Sequence, residues 1–168
     1  MFNRVIVPLD GSPTAAQALP AAERLAQLAG APLHLVSVID LFPMSAMSGT
    51  WAWGGYADLS LNDEIVESER VAAEAYLKQA QVDVMSRGHE VTVELLSGAP
   101  VQEILASTRL DDVIVMATHG RGGLSRWFLG SVAEAVIRRA TVPVMLIRAV
   151  DHPLGEIQSP SLTGPTRV

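Results

Sequence analysis

Met116-Ala117-Thr118-His119-Gly120-Arg121-Gly122-Gly123-Leu124-Ser125-Arg126-Trp127-Phe128-Leu129-Gly130-Ser131 is the stretch on which the reading of this chain turns. It begins as the end of an apolar strand, passes through a glycine-rich loop with two arginines, and closes on Gly130-Ser131 ahead of an amphipathic run. Strand, glycine loop and helix start, in that order, suit a phosphate. Glycines let backbone amides come close to an anion, and the first turn of a helix presents unpaired N–H groups with a partial positive charge.

Working outward, Asp112 to Ala117 reads as an apolar strand, and Arg4 to Leu9 is a second continuous apolar run. Such runs mark strands buried on both faces of a parallel sheet, so both are expected to be central. Asp10-Gly11-Ser12-Pro13 supplies turn residues, an N-cap serine and a proline at the first helical position. The helix that follows places Ala15, Ala18, Leu19, Ala22, Leu25, Ala26 and Ala29 on one face and stops at Gly30. Pro20 predicts a kink or a frayed first turn. Leu33 to Ile39 is a further apolar strand, closing on Asp40. Residues 41–60 form an aromatic-rich connection holding Trp51, Trp53 and Tyr56, which reads either as a lid or as aromatics packed down on the domain.

A helical stretch is expected from Asn62 to Arg87, with Ile65, Ala72, Ala75, Tyr76 and Ala80 as its apolar positions and Gly88 as its stop. Glu90 to Leu96 alternates Val91, Val93 and Leu95 with Thr92 and Glu94, the pattern of a half-exposed edge strand. A short helix begins at Pro100, and Ser131 to Ala140 gives another. Pro143 to Ile147 is the last strand, with its proline where no ladder bond is lost. The alternation of strands and helices, with right-handed crossovers, predicts an α/β fold: an open, doubly wound, five-stranded parallel sheet of order 3-2-1-4-5 with helices on both faces. Its ligand crevice would lie outside the C-terminal ends of strands one and four, where the strand order reverses.

Composition agrees. The chain has 168 residues, 49% of them apolar and 5% aromatic, which favours thin helices on a β-branched sheet in one domain. That domain is expected over residues 1–150, followed by a flexible C-terminal tail, 151–168, rich in Pro, Gly and Ser/Thr. A net charge of -6 lacks the basic field that nucleic-acid binding needs. With no cysteine, disulfides, thiol catalysis and thiolate metal sites are excluded. No apolar run approaches the ~20 residues of a membrane span, and a soluble cytoplasmic protein is the expectation.

These residues resemble the universal stress protein family over about residues 2–148. The likeness is carried by Val5-Ile6-Val7-Pro8-Leu9-Asp10-Gly11-Ser12, by Val36-Ser37-Val38-Ile39-Asp40, and by Ala117-Thr118-His119-Gly120-Arg121-Gly122-Gly123 followed by Leu129-Gly130-Ser131. ATP-binding members carry glycine, two residues, glycine, nine residues, then Gly followed by Ser or Thr. Here Gly120, nine residues, Gly130 and Ser131 match, while Ala117 stands in place of the first glycine. The resemblance implies a Rossmann-like, adenine nucleotide alpha hydrolase-like fold and a nucleotide-dependent regulatory protein of stress response. It places Pro8, Asp10 and Val38 around the adenine and nucleoside, and Met116, Ala117, His119 and Gly120 near the ribose and first phosphates. Gly130, Ser131 and Val132 fall on the outer phosphates. ATP is the implied ligand, with Mg²⁺ carried by the nucleotide.

Plainer roles stand beside these. Ser131 with Glu134 has the form of a capping box, Asp10 can fold the turn before its helix, and His119 can be a surface histidine. No histidine or carboxylate pair shows metal-ligand spacing, and no catalytic residue is assigned. A slow ATPase or phosphotransferase is disfavoured, because the chain lacks the P-loop pattern Gly-x-x-x-x-Gly-Lys-Ser/Thr. A nucleotide-free dimeric interaction module is the other alternative. The strand Pro143 to Ile147 would be an exposed apolar edge, so a homodimer through it is expected, together with an unidentified protein partner.

Overall fold

Val5, Ile6 and Val7 offer no polar face, and a strand of this kind is stable only in a sheet covered on both sides. In the computed structural model, which describes residues 2–40, 59–118 and 130–150, this strand is β1 (Arg4–Pro8), and all three side chains are fully buried. It pairs in parallel with β2 (Leu33–Asp40) on one side and β4 (Asp112–Thr118) on the other, Val5 standing opposite both Leu33 and Val113. With β3 (Val91–Gly98) and β5 (Val144–Arg148) outermost, the order is β3-β2-β1-β4-β5, as expected.

Strand alternation sorts the side chains into two cores. Val5, Val7, Leu33, Leu35, Val113 and Val115 enter the first, beneath α1 (Pro13–Ala16), α2 (Leu19–Ala29) and α3 (Leu59–Ser86). Ile6, Val36, Ile114 and Met116 enter the second, with α4 (Pro100–Ala106) and α5 (Ser131–Arg139). Small side chains let the helices lie close. Ala18, Ala22 and Ala26 bury one stripe of α2 and its cap on β1, as the spacing predicts.

Two local expectations are corrected. Pro20 neither kinks a long helix nor frays its start; the chain breaks into two helices, and Pro20 falls in the first turn of α2. An amide there has no intrahelical acceptor, so proline removes nothing. Ser12 caps α1 through the N–H of Ala15 at 3.0 Å, and Gly30 ends α2 with φ +63°. In α3, Ala72 and Ala75 are exposed, whereas Leu77, Ala80 and Val84 are buried and Tyr76 is half-buried. Alanine gains little from burial, so the larger Leu and Val set the inward face.

At the N-terminal end of the sheet, β1 and β4 are tied by a buried ion pair. Arg4 Nη2 donates to Asp112 Oδ2 at 2.7 Å and to the carbonyl of Ser107 at 2.8 Å. Asp112, 1% exposed, also accepts the Arg109 N–H at 2.7 Å. Beside it, His34 on β2 contacts Thr92 Oγ1 at 2.8 Å and Glu94 Oε2 at 3.0 Å on β3. Trp51, Trp53 and the segment 151–168 lie outside the described residues.

Candidate functional site

β1 leads to β2 on one side while its other neighbour, β4, leads outward to β5. The helices following β1 and the helix following β4 therefore lie on opposite faces, which leaves a crevice at the C-terminal ends of these two strands. From β1 it receives Pro8 and Asp10. The N–H of Leu9 bonds the Val36 carbonyl at 2.8 Å, so the pairing continues one residue past the strand before Gly11, at φ +80°, turns the chain. Asp10 is exposed and its Oδ1 accepts the Ser12 N–H at 2.9 Å, which is the turn-forming role. Asp10 also raises the pKa of Tyr76 on α3, whose phenol is pushed up mainly by burial.

Pro8, Val38 and Met116 come from three strands, and alternation sends all three to the face covered by α4 and α5. Met116 belongs to that core, Val38 packs against it, and Pro8 follows Ile6 at the two-residue spacing. Ala117 points the other way. Its methyl packs against the first core, its partner across the ladder is Ile147, and the one non-glycine residue with positive φ among those described is Asp111. The backbone at 117 thus has ordinary strand dihedrals, and nothing about them requires glycine.

Gly130 caps α5 with φ +83° and ψ +133°, a conformation that side chains disfavour even though open space surrounds the position where a Cβ would stand. Ser131 is exposed at the first helical position, and no side chain caps the helix. The capping box is therefore absent. Such a box needs serine at the cap and an acid three residues on, but glycine holds the cap and Glu134 stands one place too far. The Glu134 N–H makes the first helical bond, to the Gly130 carbonyl at 2.9 Å, and its carboxylate pairs with Arg138 at 2.8 Å. The amides of Ser131 and Val132 precede any intrahelical acceptor, so they point outward at the positive end of the helix.

The fold thus gathers Pro8, Asp10, Val38, Met116, Gly130, Ser131 and Val132 at one end of the sheet, with Ala117 there but facing away. His119, Gly120, Arg121 and Arg126 lie outside the described residues. Among the described residues no group of three or more His, Asp or Glu side chains is arranged to hold a metal, and no helix is long and apolar enough to cross a membrane. A groove of about 510 Å³ lies between α2 and α3, lined by Leu19, Glu23, Tyr76, Ala80 and Arg87.

Comparison with known proteins agrees with this architecture. Residues 1–148 match the model of the universal stress protein family. Universal stress protein MJ0531 of Methanocaldococcus jannaschii is 31% identical over 150 residues, covering 88% of this chain and 83% of its own. The structure of UspA from Lactobacillus plantarum superposes with a TM-score of 0.69 at 24% identity, covering 88% of this chain and 98% of that one. At 21% identity the fold is shared with a universal stress protein in complex with cAMP, TM-score 0.60 over 88% of this chain and 97% of that one. It is shared equally with one from Archaeoglobus fulgidus in complex with dAMP, TM-score 0.54 over 87% and 97%. These neighbours have the adenine nucleotide alpha hydrolase-like fold. With a family model spanning nearly the whole sheet and its helices, the chain belongs to the universal stress protein family.

Proposed function

We propose that this protein binds an adenine nucleotide, ATP first among them, in the crevice between β1 and β4, and acts as a nucleotide-dependent regulator through partners. The observation that carries the reading is the shared face of Pro8, Val38 and Met116 beside the glycine-capped start of α5. A flat apolar base fits the first three, and an anionic tail fits the amides of Ser131 and Val132. Asp10 stands at the crevice edge, exposed, where a nucleoside hydroxyl would meet its remaining oxygen. His119 and Gly120 enter through the motif spacing. The cAMP and dAMP complexes of fold relatives support adenine with at least one phosphate as the ligand chemistry. Bound Mg²⁺ would accompany the phosphates and neutralise part of their charge. Ala117 sends its methyl into the first core, away from Pro8, Val38 and Met116, so it leaves room for the base.

The same reading includes a homodimer. Among the described residues β5 is an outermost strand, with Met145 exposed on it and Val150 exposed just beyond, and pairing Pro143 to Ile147 with a second copy would cover that edge. Titration of nucleotide-stripped protein with ATP and ADP at matched Mg²⁺, with ADP formation followed over hours, tests the nucleotide reading. Saturable binding with negligible turnover is expected. Absence of both heat and thermal shift would overturn it, and stoichiometric turnover within minutes would replace it with an enzyme.

A further inference from the structure

Just beyond β5 the backbone is held twice. The Ala149 N–H bonds the Thr118 carbonyl at 2.8 Å, and Val150 is clamped by a single side chain: its N–H donates to Gln17 Oε1 at 2.9 Å and its carbonyl accepts Gln17 Nε2 at 3.0 Å. Gln17 stands between α1 and α2, and its neighbours Ala16, Leu19 and Pro20 line the groove of about 510 Å³ between α2 and α3. The polar groups of that groove already pair with one another. Arg87 donates to Glu23 at 2.7 and 2.9 Å, and Gln79 donates to Asp83 at 2.8 Å. What the groove still offers is apolar, with Leu19 and Tyr76 half-buried and Pro20 exposed. Such a lining takes aliphatic side chains in preference to an ion.

We propose that this groove is the docking site of the chain's own segment after Val150, Asp151-His152-Pro153-Leu154-Gly155-Glu156-Ile157, with Leu154 and Ile157 as its anchors. Two observations carry the assignment: an apolar lining whose polar neighbours are already satisfied, and a side-chain clamp that starts this segment at the groove's α1–α2 rim. Reach is sufficient. An extended chain covers at most about 3.5 Å per residue, so Leu154 can stand about 14 Å and Ile157 about 24 Å from Val150. Along the groove, α3 rises only about 10 Å from Tyr76 to Asp83. A short tether also holds the anchors at an effective concentration in the mM range, so two aliphatic side chains suffice where a free partner would need a much larger surface. Once seated, the segment covers Leu19 and Tyr76 and closes the groove to other apolar ligands. The proposal is independent of the nucleotide reading.

The chain has no cysteine, so an introduced pair reports only on itself. In the full chain, Gln79→Cys at the exposed groove rim is combined with Glu156→Cys between the two anchors, and disulfide formation under mild oxidation is followed on non-reducing gels. An intramolecular bond is expected, at a rate independent of protein concentration. Adding Leu154→Asp and Ile157→Asp keeps the tether and both thiols but removes the anchors, and should slow the bond at least about tenfold. Equal rates with and without the anchors would mean that the segment reaches Cys at 79 through its tether alone, and would overturn the proposal. Covalent dimers whose yield rises with concentration would give the groove to a second copy and overturn it too. A second measurement leaves the groove unmutated: L154D/I157D in the otherwise wild-type chain should move the amide resonances of Leu19 and Ala80 and leave that of Val136, in the second core, in place. Unmoved Leu19 and Ala80 resonances, or equal movement at Val136, would overturn the docking even if the cysteine variants failed to fold.

Discussion

At the N-terminal end of the sheet the carboxylate of Asp112 takes Arg4 and the Arg109 amide, and Arg4 closes on the Ser107 carbonyl, with almost no exposed surface on the acid. At the C-terminal end Asp10 is exposed and Gly130 starts a helix with no side-chain cap. The same two strands, β1 and β4, therefore finish in opposite ways. Where partners are complete, the polar groups serve the fold. Where they are not, the backbone donors at the start of α5 point outward, and an anion from outside would complete them.

Breaking the closed end should have the largest effect. Asp112→Ala leaves Arg4 and the Arg109 amide without their acceptor in a buried position, and a stability loss of about 3–5 kcal/mol is expected. Urea denaturation measures it, and the loss should exceed that of any single change at the crevice. Next is Gly130→Val. Forcing a β-branched residue to φ +83° costs about 1–3 kcal/mol or moves the first turn of α5. Either result should lower ATP affinity by more than tenfold while the chain stays folded. Full affinity in a folded G130V would remove α5 from the proposed site.

Smaller effects sharpen the contrast further. Ala117→Gly should cost about 0.5–1 kcal/mol of stability, since it loosens a strand interior. It should change nucleotide affinity by less than threefold, because the methyl packs into the first core. A tenfold gain on this substitution would show that the methyl crowds the ligand after all. The smallest expected signal is a pH slope at the closed end. Burial lowers the pKa of His34, with Arg4 adding to the effect and Glu94 and Asp112 opposing it. The neutral form is therefore favoured in the folded state, and the unfolded chain binds the proton more readily. Stability from this group is complete above the unfolded value of about 6.5 and is lost as pH falls below it. Thermal melts between pH 8 and 5 should show that slope in wild type and a shallower one in His34→Gln.

Much of the architecture was legible before any coordinate. The apolar runs at Val5 to Val7 and Val113 to Met116 named the central strands, because only strands covered on both faces lack a polar side. Gly30 and Gly88 marked helix ends, and both adopt positive φ there. The alternation of Thr92 and Glu94 with Val91 and Val93 placed β3 at an edge. The candidate site was legible in part. Pro8, Val38 and Met116 were named one by one through family resemblance, and their common face required the strand register. Ser131 was misread as a cap because Gly130 and Ser131 are both acceptable caps by residue type, and backbone dihedrals decide between them.

The sequence by itself determined the number and order of the strands and the helical segments between them, though not the break that separates α1 from α2. Local rules set these: side-chain period, the freedom of glycine, the missing donor of proline. Tertiary structure alone decided which residues of α3 face inward, where Ala117 sends its methyl, and that Arg4 meets Asp112 across 108 positions of chain. Those outcomes depend on what packs opposite each side chain, and no local pattern encodes an opposite surface contributed by residues far along the chain.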